Sequence, residues 1–259
     1  MTRCTLARRT RFLRGVAKAL VAAGLVFAVS IPILRWAVRG GIPALSDQIG
    51  KSAQEHLALP SGVAPTAESR LAILADKLRP QTAPSSRSFR VLLANYADIH
   101  SFNLPPDAIV VTAGLVCAAA DPDLVVEAIA LQLAHLENRD VTHSVADAVN
   151  WHSPVAFLRG DLSALRDRML DFADPKHSPG FTEAEDNAAG ERALALLRLA
   201  GSTIPSTKEL TSRAERLAEV HLEAGESPPP APAGADEFNW PKARAEACDV
   251  IGRAGASAD

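Results

Sequence analysis

The sequence predicts an α+β protein, mostly helical, with a small β-sheet packed on a buried helix and one N-terminal transmembrane helix. Three observations carry this reading. Aromatics are only 5% of the 259 residues and alanine is abundant, a composition that favours helices. Two short apolar runs, Phe89–Ala94 and Ala108–Thr112, read as strands, and a long stretch from Pro122 to Asn150 holds no helix breaker after its first residue. An uncharged, mostly apolar run, Ala19–Leu34, lies between basic flanks. A hydrophobic fraction of 47% and a charged fraction of 22% exclude a wholly disordered chain and a polytopic membrane protein.

The N-terminal run is justified by its flanks. Arg3, Arg8, Arg9, Arg11, Arg14 and Lys18 precede it, and Arg35, Trp36 and Arg39 follow. Sixteen helical residues span roughly 24 Å at 1.5 Å per residue, against a hydrocarbon core of roughly 30 Å. Snorkelling by Lys18 and Arg35, with Trp36 at the interface, closes that gap. A cleaved signal peptide is the competing reading, but no clear small-x-small cleavage site precedes a polar start, so an uncleaved anchor is expected. The positive excess before the run places the N-terminus inside and the body outside. In a bacterium this is a single-pass inner-membrane protein with its soluble domain on the periplasmic side.

Residues 1–40 carry eight Lys/Arg and no Asp/Glu, which leaves 41–259 with 19 basic against 30 acidic residues, a net of −11. Phosphate binding needs clustered positive charge, so nucleic acid is not an expected partner. Three cysteines (Cys4, Cys117, Cys248) are too few and scattered for a disulfide framework or a Cys-type zinc site, and Cys117 reads as a core filler.

Three segments are expected: 1–40 as basic N-terminus and anchor (or signal peptide), 41–224 as the folded domain, and 225–259 as a Pro/Ala-rich, largely disordered tail. Within the domain, 43–79 reads as helical with Thr66 as an N-cap of Ala67–Leu78. A turn-rich break follows from Pro80 to Ser86, then the two strands, separated by a loop that holds Pro105 and Pro106. The first half of the helix from Pro122 is apolar nearly all round, as a helix buried in mid-domain must be. Further helices are expected at 154–172, 183–200 and 207–224, with a short one around Lys242–Ile251.

Three stretches sharpen the comparison. The first is His100-Ser-Phe-Asn-Leu-Pro-Pro-Asp-Ala-Ile-Val-Val-Thr-Ala-Gly-Leu115, the second Leu131-Gln-Leu-Ala-His-Leu-Glu-Asn-Arg-Asp140, and the third Phe181-Thr-Glu-Ala-Glu-Asp-Asn-Ala-Ala-Gly190. In order and spacing they resemble the HtpX-type zinc metallopeptidases, the family that includes the CAAX prenyl endopeptidase. That family shows Asn-Ala-Phe-Ala-Leu-Pro-Gly-Gly before an apolar strand and Thr-x-Gly-Leu, then His-Glu-Leu-x-His-x-x-Asn-Arg-Asp, then Tyr-Ser-Arg-x-x-Glu-x-x-Ala-Asp. Phe102, Leu104, Pro105, Thr112, Gly114 and Leu115 match the first. The resemblance covers roughly 66–206 and implies a zincin-like core around an active-site helix, with a helix corner at Arg139 and Asp140.

The residues that perform the chemistry depart from that pattern. Two histidines at i and i+4 share one helix face and grip a zinc ion, while the glutamate between them activates the bound water. The first histidine position here is Leu131, which has no lone pair. The general-base position is Gln132, which accepts no proton. The second histidine survives as His135, and the third-ligand position holds Asp186, one methylene shorter than glutamate. Gly190 stands where the family has an aspartate. Losing an outer partner typically costs about 10–100-fold in affinity or activity, and losing the base a further factor on the order of 10²–10⁴.

No cofactor is therefore expected, with zinc implied only if the site is functional. His143, eight residues past His135, stands roughly 12 Å away on a straight helix and does not reach the same ion. A substitute set of His135, His177 and Asp186 is left open by the spacing. No Gly-x-Ser-x-Gly elbow marks a serine nucleophile, and no glycine loop marks a phosphate site. The expected function is a membrane-anchored, inactive peptidase homologue in envelope protein quality control that still binds polypeptide. Ala108, Ile109, Val110, Val111 and Thr112 are expected to form the edge strand that holds it. The alternatives are an active zinc endopeptidase with an altered ligand set, and a structural module whose Pro-rich tail docks a partner.

Overall fold

The computed structural model describes residues 18, 21, 24–26, 28–57, 64–83, 88–150, 152–174, 176, 178–204, 206–210, 212 and 240–256. The chain enters through helix α1 (Gly24–Gly40), turns sharply, and continues as α2 (Pro43–His56) and α3 (Pro65–Asp76). Strands β1 (Arg90–Ala94), β2 (Ser101–Leu104) and β3 (Ala108–Thr112) follow, then α4 (Ala113–Ala118), α5 (Pro122–Asn138) and α6 (Asp140–Asp147). Helices α7 (Ser153–Leu158), α8 (Ser163–Leu170), α9 (Glu183–Leu199) and α10 (Trp240–Ala256) complete the described elements. The α+β, mostly helical class holds.

The sheet order is β1-β3-β2, with β3 parallel to β1 and antiparallel to β2. This overturns the expectation for Ala108–Thr112, which form the central strand and no edge. All five are buried, because a strand covered on both faces and both flanks carries apolar residues at every position. The edge beside α5 is β2, a strand that lies inside the stretch expected to be a loop. Alternation of side chains feeds two cores. Ile109 and Val111 join Val91 and Leu93 in a cluster with α3, α4, α5, α9 and α10. Ala108, Val110, Phe102 and Leu104 join a second cluster with α1, α2, α6 and α8.

Helix α5 starts at an N-cap, Asp121, whose side chain accepts from Asp123 N, with Pro122 in the first turn. It does not run to Asn150. Arg139 adopts φ 62° and ψ 31°, the left-handed conformation, and α6 starts afresh at Asp140. A non-glycine residue there costs roughly 1–2 kcal/mol. The corner is compensated by Asp140, which turns back to bond His135. Gly40 makes room for it, since a Cβ at Gly40 would stand 2.3 Å from Arg139 Nη1.

The expected segment boundaries shift at both ends. Leu34, Ala37 and Val38 of α1 are buried in the second core, Arg35 donates to Val149 O (3.0 Å), and Arg39 pairs with Asp147. The last part of the 1–40 segment is thus built into the body. Residues 19, 20, 22, 23 and 27 of the expected span lie outside the described residues. Among those described, no single helix is long and apolar enough to cross a membrane; α1 and α2 meet that measure only as a pair bent by 72°. At the other end, 225–239 lies outside the described residues, but α10 is docked on α3 and α4.

Cys117 is no simple core filler: it is joined to Cys248 of α10 across 131 residues, with Cα atoms 5.1 Å apart. Arg244 Nη2 donates to Cys117 O (2.9 Å) and Trp240 Nε1 to Ala119 O (3.2 Å). Thr66 is not an N-cap. Pro65 opens α3, and Thr66 N donates to Glu246 Oε2 of α10 (3.0 Å). Sequence spacing gives no hint of a contact across that separation.

Candidate functional site

The α5–α6 corner and the start of α9 build the site. Thr182 and Glu185 form a reciprocal capping box, Thr182 N donating to Glu185 Oε2 (2.8 Å) and Glu185 N to Thr182 Oγ1 (3.3 Å). That box fixes the next residue, Asp186, over the last turns of α5. His135 is buried, and its Nδ1 lies 2.8 Å from Asp140 Oδ2, while its Nε2 lies 3.8 Å from Asp186 Oδ1. With Nδ1–H donating to Asp140, Nε2 turns toward Asp186, the arrangement that presents an imidazole to a cation or a proton. Partial burial pushes the Asp186 carboxyl above its ordinary value; His135 opposes this, and the neighbouring Glu185 and Asp140 charges add to it.

Aromatic rings cover the imidazole. Phe181 stacks on His135 with centroids 4.0 Å apart, and Phe172 stacks on Phe181 at 5.2 Å. The turn Asp171–Ala173, which carries Phe172, packs on β2, and His100 Nε2 bonds Phe172 O at 3.0 Å. Neither phenylalanine was singled out for the site, although Phe181 opens the third stretch of the resemblance. The pattern places Asp140 at a corner, and the folded chain adds that it orients His135.

His135 and Asp186 are brought together. Leu131, half-buried against the apolar core, offers no donor. Gln132 is tied to the sheet, its Oε1 accepting from Asn103 Nδ2 at 3.2 Å. Asn103 is 1% exposed, and its Oδ1 has no hydrogen-bond partner. Two ligands on one tetrahedral zinc, at bond lengths near 2.0–2.2 Å, sit roughly 3.4 Å apart, so His135 and Asp186 are near that separation. Among the described residues no third His, Cys, Asp or Glu joins them, and His177 lies outside those residues. The residues present do not fit a three-ligand zinc site at this position.

A different group does form. Asp140, His143 and Glu185 bring one ligand atom each within 4.8 Å of one another, a set able to hold a metal ion. The expectation that His143 is out of reach assumed a straight helix; the break at Arg139 turns it back toward the start of α9. No protein-family profile matches the chain, and no curated protein matches it.

Proposed function

We propose that this chain is a catalytically silent relative of the HtpX-type zinc peptidases, tethered to a membrane by its N-terminal helix, that engages polypeptide clients along β2. The observation that carries this reading is the Gln132–Asn103 amide pair: an amide held by the sheet occupies the general-base position, next to a leucine at the first ligand position. The meeting of His135 with Asp186 supports the resemblance, because the two come from its second and third stretches, and Asp140, at the end of the second, bonds the same imidazole.

The client-binding part rests on β2. Thr112 N donates to His100 O, so His100, Phe102 and Leu104 bond to β3, and the backbone groups of Ser101 and Asn103 face outward. Addition of an extended chain to such an edge uses backbone hydrogen bonds and needs no metal. Phe102, Asn103 and Leu104 are buried, so a client enters when the turn Asp171–Ala173, which packs on β2, moves aside. The Cys117–Cys248 bond suits the oxidising side of a membrane, in keeping with a periplasmic domain acting in envelope protein quality control.

The test is fluorescence anisotropy of a labelled, reduced and carboxymethylated polypeptide with the full chain in detergent. The parent binds, Phe181→Ala binds more tightly, and Asn103→Pro, folded by near-UV circular dichroism, does not bind. Absence of binding by both the parent and Phe181→Ala removes the client reading.

The Asp140–His143–Glu185 group favours a second reading, an active zinc endopeptidase with an altered ligand set. Metal analysis after zinc loading separates the two: one zinc per chain, lost in His143→Ala, together with chelator-sensitive cleavage, supports activity. No bound zinc supports the silent reading.

A further inference from the structure

Thirteen large apolar side chains are exposed among the described residues, and they are not scattered. Seven lie between Val21 and Ile42, on α1 and its ends. Three lie on the six-residue helix α7: Val155 (37% exposed), Phe157 (42%) and Leu158 (85%). Only Ile73, Tyr96 and Leu199 lie elsewhere. The two groups are neighbours in the fold. Arg35 of α1 donates to Val149 O (3.0 Å) and Asp147 O (3.4 Å), and Arg39 pairs with Asp147. Ser153 opens α7 four residues after Val149, within about 14 Å of chain reach.

We infer that α7 is a second lipid-contacting element, which inserts its Val155, Phe157 and Leu158 side chains into the bilayer interface beside α1. The inference rests on the membrane reading of α1 given above. The occupant is a lipid surface because the α7 patch follows, within that chain reach, the point where Arg35 of α1 docks, and Arg35 and Trp36 are residue types that belong at a membrane interface. Arg159 directly follows Leu158 and is exposed, which places a cation at headgroup depth when the leucine is inserted. Pro154 is buried and holds the start of α7 to the body, so the patch is presented by a fixed support. Two contacts, α1 and α7, set the tilt of the domain over the membrane, where a single tether leaves it free to rotate.

The test uses the full chain in vesicles of phosphatidylethanolamine and phosphatidylglycerol. In a Cys4→Ser background the remaining two cysteines are paired, so a single new cysteine takes an environment-sensitive fluorophore. Labels go at Leu158→Cys, at Leu199→Cys on the far layer, and at Val26→Cys on α1. Nitroxide lipids then report depth. The Leu158 label is expected to shift to the blue and to be quenched most by nitroxides about 5–10 Å below the headgroup boundary, while the Leu199 label keeps its vesicle-free emission. A quenched Val26 label with Leu158 no more quenched than Leu199 overturns the inference and leaves the anchor standing. Quenching at Leu158 without quenching at Val26 upholds the contact and overturns the anchor. Quenching at neither overturns both.

Discussion

Helix α10 and the segment Asp171–Phe181 both close over the core, and they are held by different kinds of force. Helix α10 is bound through a covalent bond to Cys117, a buried guanidinium on Cys117 O, a buried indole on Ala119 O, and a carboxylate on Thr66 N. The described residues of Asp171–Phe181 are held by the His100 bond to Phe172 O, by the Arg168–Asp171 ion pair and by two ring stacks that end on His135. Polar bonds made inside a dry interface resist opening, because a group left unpaired there keeps its full desolvation penalty. Stacked rings at the mouth of a site exchange for other apolar partners at little loss. The difference separates a permanent part of the scaffold from a displaceable cover.

The largest expected effect breaks the permanent half. Cys248→Ser opens a loop of 131 residues, which by loop-closure entropy destabilises the protein by up to about 5 kcal/mol. Thermal melts should show the same fall when the parent chain is reduced, and the variant should be indifferent to reductant. A parent whose melting point ignores reductant would show that α10 is held by its polar contacts alone.

Removal of the support behind the imidazole comes next. Asp140→Ala leaves the buried Nδ1–H of His135 without its acceptor, at a cost of about 1–3 kcal/mol. Because Asp140 also starts α6, Asp140→Asn separates the roles: it keeps an acceptor and should recover much of the loss. Denaturant unfolding of both variants reads this directly. Equal losses in the two would place the effect in the charge rather than in the hydrogen bond.

Gly50→Ala probes the support of the edge strand. A Cβ at Gly50 of α2 would stand 1.7 Å from Pro105 O, immediately after β2. Neither the carbonyl nor the helix backbone yields cheaply, so a loss of about 1–3 kcal/mol is expected from overpacking. Amide exchange of β2 should quicken more than that of α10, which lies in the other core. Uniform exchange changes would indicate that the two layers open as one.

What the sequence made legible follows from the range of each signal. Helix α5 declared itself because apolar residues all round a helix have one explanation, burial. Strand β3 was equally visible, but a continuous apolar run says only that both faces are covered. It does not say which strands flank it, and so Ala108–Thr112 read as an edge while Ser101–Leu104, four residues between polar turns, went unseen. The meeting of His135 with Asp186 was legible only through the resemblance, since the two positions stand 51 residues apart. The break at Arg139 was invisible to propensity. Arginine is a good helix former, and its left-handed backbone is stabilised by tertiary partners, Asp140 with His135 and Gly40 opposite the guanidinium. The same break brought His143 within reach of Glu185.

The smallest expected effect sharpens the displaceable half through pH. Burial lowers the His100 imidazole below its ordinary 6.5, with the Phe172 carbonyl bond and the Asp98 and Asp174 charges opposing. The folded state therefore binds fewer protons than the unfolded chain between 6.5 and the lower folded value. Stability from this group is complete above 6.5 and is lost as pH falls through the folded value. Protonation puts a charge beside the turn that carries Phe172, next to a cavity of about 410 Å³ also lined by Tyr96, Asp98 and Lys176. The ring stack on His135 should loosen along with it. Acidification below 6.5 is expected to lower the amide protection factors, rates corrected for intrinsic exchange at each pH, at Phe172 and Phe181 and to leave those of α10 unchanged. His100→Gln keeps a donor for Phe172 O and does not titrate, so it should hold the protection factors of those two amides flat across the same range. An unaltered acid response in that variant would assign the titration to another group and separate His100 from the cover.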